Sequence, residues 1–155
     1  MVAAFVAGTM ATSLAETIRA TETAPSIRKR ILLIDDDPSL LAYAVFLLTQ
    51  AGYEVCEARD GCEALHLVEE RQIRSDRFDL LVTDIRMPGM SGVSLLRELR
   101  MQKIHVPVLV ITGFLDAASL KELKQMKYLD ILVKPFKPAE LIQYIERLTI
   151  RDLSC

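Results

Sequence analysis

Five short apolar runs divide this chain, and after each one the hydrophobic period changes from that of a strand to that of a helix. The runs are Ile31–Ile34, Tyr53–Ala58, Leu80–Val82, Val106–Ile111 and Leu129–Val133. Ile31–Ile34 and Leu80–Val82 have the length and composition of buried strands, whereas Tyr53–Ala58 alternates as a strand near a sheet edge does. The helical faces between them carry Leu40, Leu41, Ala44, Val45 and Leu48, then Ala64, Leu65 and Val68, then Val93, Leu96 and Leu99. Leu120, Leu123 and Met126 give a loosely periodic fourth helix within Ala117–Lys127, and Leu141, Ile145 and Leu148 a strongly periodic fifth. Asp37-Pro38, Asp60-Gly61 and Pro138 mark helix starts, and Gly52 a helix end. Strand–helix alternation repeated five times, with right-handed crossovers, predicts an α/β fold: a doubly wound five-stranded parallel sheet, most simply in the order 2-1-3-4-5.

That fold gives the polar residues at the strand ends a common address, because ligands of open parallel sheets bind beyond the carboxyl ends of the strands. The first strand ends in Asp35, Asp36 and Asp37, the third in Asp84, the fourth in Thr112 and the fifth in Lys134. Asp84 leads into a loop punctuated by Pro88, Gly89 and Gly92. An aspartate here can simply end a strand or cap a helix, as Asp37 before Pro38 is expected to do. In the predicted order, however, strands one and three are neighbours, so their carboxylates converge on one crevice. Grouped carboxylates repel unless a cation joins them, and hard oxygen ligands suit Mg²⁺. A carboxylate, a magnesium ion, an ammonium and a hydroxyl meet the needs of phosphoryl transfer, with Asp84 as nucleophile and an aspartyl phosphate as product.

Length and charge narrow the setting. The 155 residues, 51% hydrophobic and 26% charged, suit a single domain with a full core. A formal charge of −2 provides no field for nucleic acid or an anionic membrane, and no run approaches the ~18 apolar residues of a membrane span. Cys56, Cys62 and Cys155 are odd in number and lack metal-like spacing, which points to a reduced, cytoplasmic setting with Cys56 and Cys62 as core or boundary residues. Residues 28–150 form the domain, 151–155 a tail, and 1–27 an extension of different composition ending in the linker Ala24-Pro25-Ser26. In that extension Val6, Met10, Leu14 and Ile18 recur every fourth position beside Ala3, Ala7, Ala11 and Ala15. It reads equally as a helix packed on its own domain or a partner, and as a disordered tail; with no Lys or Arg before Arg19 it is not a secretory signal.

From Lys29 to Leu148 the chain resembles the receiver domains of two-component response regulators, whose fold is flavodoxin-like. The resemblance is carried by Ile34-Asp35-Asp36-Asp37-Pro38, by Ala58-Arg59-Asp60-Gly61-Cys62-Glu63-Ala64-Leu65, by Asp84 through Gly92, by Ile111-Thr112-Gly113 and by Lys134-Pro135-Phe136. It implies that Asp84 is the phosphoacceptor and that Asp36 and Asp84 bind Mg²⁺ directly, with Asp35 acting through water and the Arg86 backbone carbonyl completing the protein ligands. Thr112 matches the switch hydroxyl and Lys134 its lysine partner, with a cis peptide between Lys134 and Pro135. The implied function is a phosphoacceptor signalling domain fed by a histidine kinase or phosphotransfer protein. It is not an enzyme beyond Mg²⁺-dependent self-phosphorylation and dephosphorylation. Its output would go to a downstream protein, or to a second copy, through the face formed by helix four, strand five and helix five, without direct contact to nucleic acid.

Several positions depart from the family pattern. The family's switch aromatic, three residues before the lysine, is Ile131 here, and the usual alanine after the threonine is Gly113. Arg86 and Phe114, two residues beyond the aspartate and the threonine, match positions that tune phosphoryl lifetime and form a bulky pair. No helix-turn-helix or catalytic unit follows Lys134, so the chain is expected to be a stand-alone receiver or a piece of a larger protein such as a hybrid kinase. A haloacid-dehalogenase-type phosphatase is the alternative, since Asp35-Asp36-Asp37 has its Asp-x-Asp form; that reading leaves Asp84 and its loop without a role. A pseudo-receiver, acting only as an interaction fold, would typically lack the acidic pair, the aspartate or the lysine, and all are present.

Overall fold

The computed structural model of the protein describes residues 28–150. The stripe from Val6 to Ile18, the linker, the tail and Cys155 lie outside the described residues. Ten elements follow one another: β1 (Arg30–Ile34), α1 (Pro38–Gln50), β2 (Glu54–Ala58), α2 (Gly61–Ile73), β3 (Leu80–Thr83), α3 (Gly92–Met101), β4 (Val108–Thr112), α4 (Ala117–Lys124), β5 (Leu129–Val133) and α5 (Pro138–Ile150). The sheet order is β2-β1-β3-β4-β5, as the alternation predicts, and every pair is parallel.

Side chains on a strand alternate between faces, and here the alternation sorts the core into two layers. Ile31 and Leu33 of β1 pack with Leu80, Val82, Leu109 and Ile111 against α1 and α5, whose Leu41, Ala44, Leu48, Leu141, Ile145 and Leu148 are all buried. Leu32 and Ile34 pack on the other side with Leu81, Val108 and Val110 against α2, α3 and α4. The central strands are therefore apolar on both faces. β5, at the sheet edge opposite β2, leaves Val133 exposed and buries only Leu132.

Local chemistry sets the boundaries. Asp37 Oδ1 accepts from the amides of Ser39 (2.8 Å) and Leu40 (3.3 Å), and Pro38 fills the first helical position, so α1 begins where expected. Asp60 accepts from the Glu63 amide while Glu63 reaches back to the Arg59 amide, both at 2.8 Å. Gly52 ends α1 with φ +93, a conformation that costs glycine least.

Several strand and helix ends differ from expectation by one to three residues, and at three of them a backbone group shows why. The amide of Tyr53 bonds to Leu48 O, which puts Tyr53 in the turn and starts β2 at Glu54. Pro107 has no amide to offer the ladder, and β4 begins after it rather than at Val106. Helix α4 stops at Lys124 instead of Lys127, because the Gln125 and Met126 amides take carbonyls three residues back and Tyr128 then turns with φ +59. Cys56 is half-buried on β2, and Cys62 is exposed on α2 rather than part of the core.

Candidate functional site

The parallel register brings the ends of β1 and β3 level, with Ile34 opposite Thr83. Asp35 and Asp84 are the next residues, and the Asp84 amide donates to Ile34 O at 3.1 Å. Each carboxylate is held by backbone donors. Asp35 Oδ1 accepts from the Asp37 amide at 2.9 Å, while Asp84 Oδ1 accepts from the amides of Ile85 (2.5 Å) and Arg86 (3.3 Å). Their remaining oxygens share one cation: Lys134 Nζ lies 3.2 Å from Asp35 Oδ2 and 3.0 Å from Asp84 Oδ2. Lys134 follows β5, two strands away from β3, and the bond from its amide to Thr112 O (2.9 Å) sets its place. The Lys134–Pro135 peptide is cis.

Two carboxylates and one ammonium leave the cluster with a net negative charge. Burial pushes the Asp35 carboxyl above the ordinary carboxylate range, and the Asp84 charge adds to the rise; the Asp37 amide and Lys134 offset this only in part. For Lys134 burial acts the other way, lowering its affinity for a proton. The hydrogen bond to Asp84 and the two carboxylate charges outweigh it and hold the ammonium above its ordinary value.

The four strand ends do not all converge. Thr112 is buried at the end of β4, but its hydroxyl is turned into its own loop, donating to Phe114 O at 2.9 Å and accepting from the Phe114 amide at 3.4 Å. Asp36 is exposed, and its side chain makes no hydrogen bond or ion pair with the described residues. Among the described residues no three His, Cys, Asp or Glu side chains form a ready-made metal cage. The donor set still fits Mg²⁺, which keeps several waters and needs only one or two carboxylates from a protein. Asp36, next to Asp35 in sequence, has unengaged oxygens, and the Arg86 carbonyl is a further hard donor. The cavity beneath Asp35 and Asp84 holds about 10 Å³, room for no more than one water. A larger cavity of about 630 Å³ opens beside the loop after Asp84, lined by Ile85, Arg86, Met87 and Pro88 among others.

Two contacts of the site go beyond the reading of the sequence, which named Arg86 and Phe114 as a bulky pair without their stacking. Arg86, exposed after Asp84, lays its guanidinium over the Phe114 ring at 3.9 Å from the centroid. Gly92 is more than loop punctuation: a Cβ there would come within 2.1 Å of the Asp84 carbonyl oxygen, so only glycine lets α3 start against the Asp84 loop. Gly61 allows a similar approach, its Cβ position lying 2.6 Å from Met90 O. The conjunction of these glycines with the Asp84 loop is the sequence signal that could have revealed the contact.

Residues 31–146 match the family model described as the response regulator receiver domain. The DNA-binding response regulator MtrA of Mycolicibacterium smegmatis is 35% identical over 117 residues, covering 76% of this chain and 49% of the relative. The chain thus spans about half the length of the curated relatives it matches. Among solved structures, the chemotaxis protein CheY4 of Vibrio cholerae superposes with a TM-score of 0.67 at 32% identity, over 78% of this chain and 98% of that one. FixJ-N superposes with a TM-score of 0.70 at 32% identity, over 82% and 98%.

Proposed function

The chain belongs to the response-regulator receiver-domain family, and on that premise we propose that Asp84 accepts the phosphoryl group by which this signalling domain is switched. The observation that carries the assignment is the Lys134 ammonium joining Asp84 to Asp35 at the ends of neighbouring strands. An Asp84 oxygen attacks the phosphorus of a phosphohistidine on a histidine kinase or phosphotransfer protein. The P–O bond forms as the P–N bond breaks, and the imidazole leaves with a proton. Lys134 then has a phosphoryl oxygen to pair with, a charge-assisted contact stronger than a neutral one. Thr112 is the hydroxyl that turns to the same group, giving up Phe114 O.

Mg²⁺ would be held by Asp36, Asp84 and the Arg86 carbonyl, with Asp35 acting through water. When bound, it neutralises charge on the transferring group. Lys134 alone cannot do so, since Asp35 and Asp84 already outnumber it. The signalling reading is favoured over the phosphatase because it gives Asp84 and its loop a role and agrees with the family match. The output surface is the face of α4, β5 and α5, where Val133 is exposed. Partners there are a downstream protein or a second copy, in a cytoplasmic setting, whether the receiver stands alone or serves a larger protein. Among the described residues no helix is long and apolar enough to cross a membrane.

The test is intact-protein mass after incubation with a small acyl-phosphate donor and Mg²⁺. The parent chain should gain one phosphoryl group and Asp84→Asn none. A parent chain that stays unmodified, or an Asn variant that is modified equally, overturns the assignment.

A further inference from the structure

The Arg86–Phe114 stack joins the two loops that leave β3 and β4, and each partner is also tied to the residue two positions before it. The Arg86 amide donates to Asp84 Oδ1, and the Phe114 carbonyl and amide both engage the Thr112 hydroxyl. An open chain of contacts therefore runs from the Asp84 carboxylate through the Arg86 backbone and guanidinium to the Phe114 ring, and through the Phe114 backbone to the Thr112 hydroxyl. Phe114 is 53% exposed, so core packing does not hold the ring in place. Among the described residues no carboxylate pairs with the Arg86 guanidinium, which leaves it available to a new anion.

We propose that the Arg86–Phe114 stack is a latch that keeps Thr112 bonded to its own loop, and that a phosphoryl group on Asp84 opens it. The inference rests on Asp84 being the phosphoacceptor. Phosphorylation replaces a single carboxylate charge by about −1.5 to −2 two residues from Arg86. A guanidinium makes charge-assisted, bidentate contacts with phosphoryl oxygens, which compete with the face of a ring. Arg86 leaving the ring and Thr112 leaving the Phe114 backbone free the same residue from two sides. Phe114 lies two residues before Asp116, whose side chain caps α4 through the Ser119 amide at 2.8 Å, so its release passes into that helix. Ile131 has no ring to move in response; Phe114 supplies one.

The chain contains no tryptophan, so Phe114→Trp places a single indole in the latch and preserves the stack. In the full chain, phosphorylated as above with acyl phosphate counted by mass, quenching of the indole by acrylamide should rise with the phosphorylated fraction. Adding Arg86→Gln should make quenching high at the outset and flat thereafter. A second arm needs neither donor nor metal. Phe114→Leu should speed amide exchange across 113–124 about two- to five-fold, the factor matching a surface cation–π contact, and Phe114→Trp should restore slow exchange. Quenching that stays constant while acyl phosphate accumulates overturns the latch, as does exchange that Phe114→Leu leaves unchanged. If the parent chain forms no acyl phosphate, the assignment of Asp84 fails, and the exchange arm alone decides whether the stack holds Thr112.

Discussion

Replacing Lys134 with methionine removes the cation that joins Asp35 and Asp84 while keeping a side chain of similar length. The two carboxylates are only 6% and 12% exposed at their side chains, so the charge left behind is poorly hydrated. Breaking a buried pair typically costs about 3–5 kcal/mol. Here the loss should be smaller, about 1–3 kcal/mol, because Lys134 is partly exposed, both carboxylates keep their amide donors, and Asp35 can take up a proton. The signs fix the pH dependence. Lys134 has a raised folded pKa, so its contribution is fully present at neutral pH and is lost only as pH rises through that value. Asp35 is raised as well, so its ionised form opposes folding above its folded pKa, and that penalty disappears as pH falls below its unfolded one. The gap between parent and variant should therefore be widest near neutrality and narrow towards acid. Mg²⁺ should close it too, since the variant no longer offers a competing ammonium and binds the ion more tightly; at a hundred times Kd, binding stabilises by about 2.7 kcal/mol. Urea unfolding in chelator and in Mg²⁺, at neutral and acid pH, measures all of this. A variant as stable as the parent in chelator, with no added response to Mg²⁺, would falsify the view that Lys134 compensates the carboxylate pair.

Asp36→Ala should leave urea stability within about 0.5 kcal/mol, since the side chain is exposed and unbonded, yet abolish Mg²⁺-dependent phosphorylation; normal phosphorylation in the mass assay would remove Asp36 from the metal site. Gly92→Ala should cost about 1–3 kcal/mol and slow phosphorylation by displacing the Asp84 carbonyl, and an unchanged melt would show that the α3 start can yield. Ile145→Ala, deep under the sheet, should cost about 2–5 kcal/mol without altering the rate of phosphorylation per folded molecule; the comparison of urea midpoint with mass-detected rate separates the two.

The fold was legible because strand and helix periods alternate cleanly, and the core positions of α3 and α5 lie where their spacing puts them: Val93, Leu96 and Leu99, then Leu141, Ile145 and Leu148, are all buried. Element ends were less legible where a single backbone group decides them, as the missing amide of Pro107 and the tightened last turn of α4 do. Asp35, Asp84 and Lys134 could be brought together from topology alone, because strand order places strand ends. Topology does not say which way a side chain turns at a strand end. Asp36 is exposed and unbonded, and Thr112 is turned by hydrogen bonds to the Phe114 backbone in its own loop. Arg86 and Phe114 read as a bulky pair by their positions, but their stacking depends on two loops approaching each other, which no periodicity encodes.

The Lys134 ammonium reaches Asp84 across 50 positions of chain and Asp35 across 99. No local fragment can therefore rehearse the site. On a ribosome, Asp84 leaves the exit tunnel well before its lysine is made, and until β5 docks beside β4 the aspartate is an ordinary solvated carboxylate. If Asp84 is the phosphoacceptor, as proposed above, its competence is expected to depend on completion of the sheet, with nascent or partly unfolded copies accepting phosphate poorly. On that proposal, phosphate incorporation per molecule should track the fraction with β5 docked beside β4.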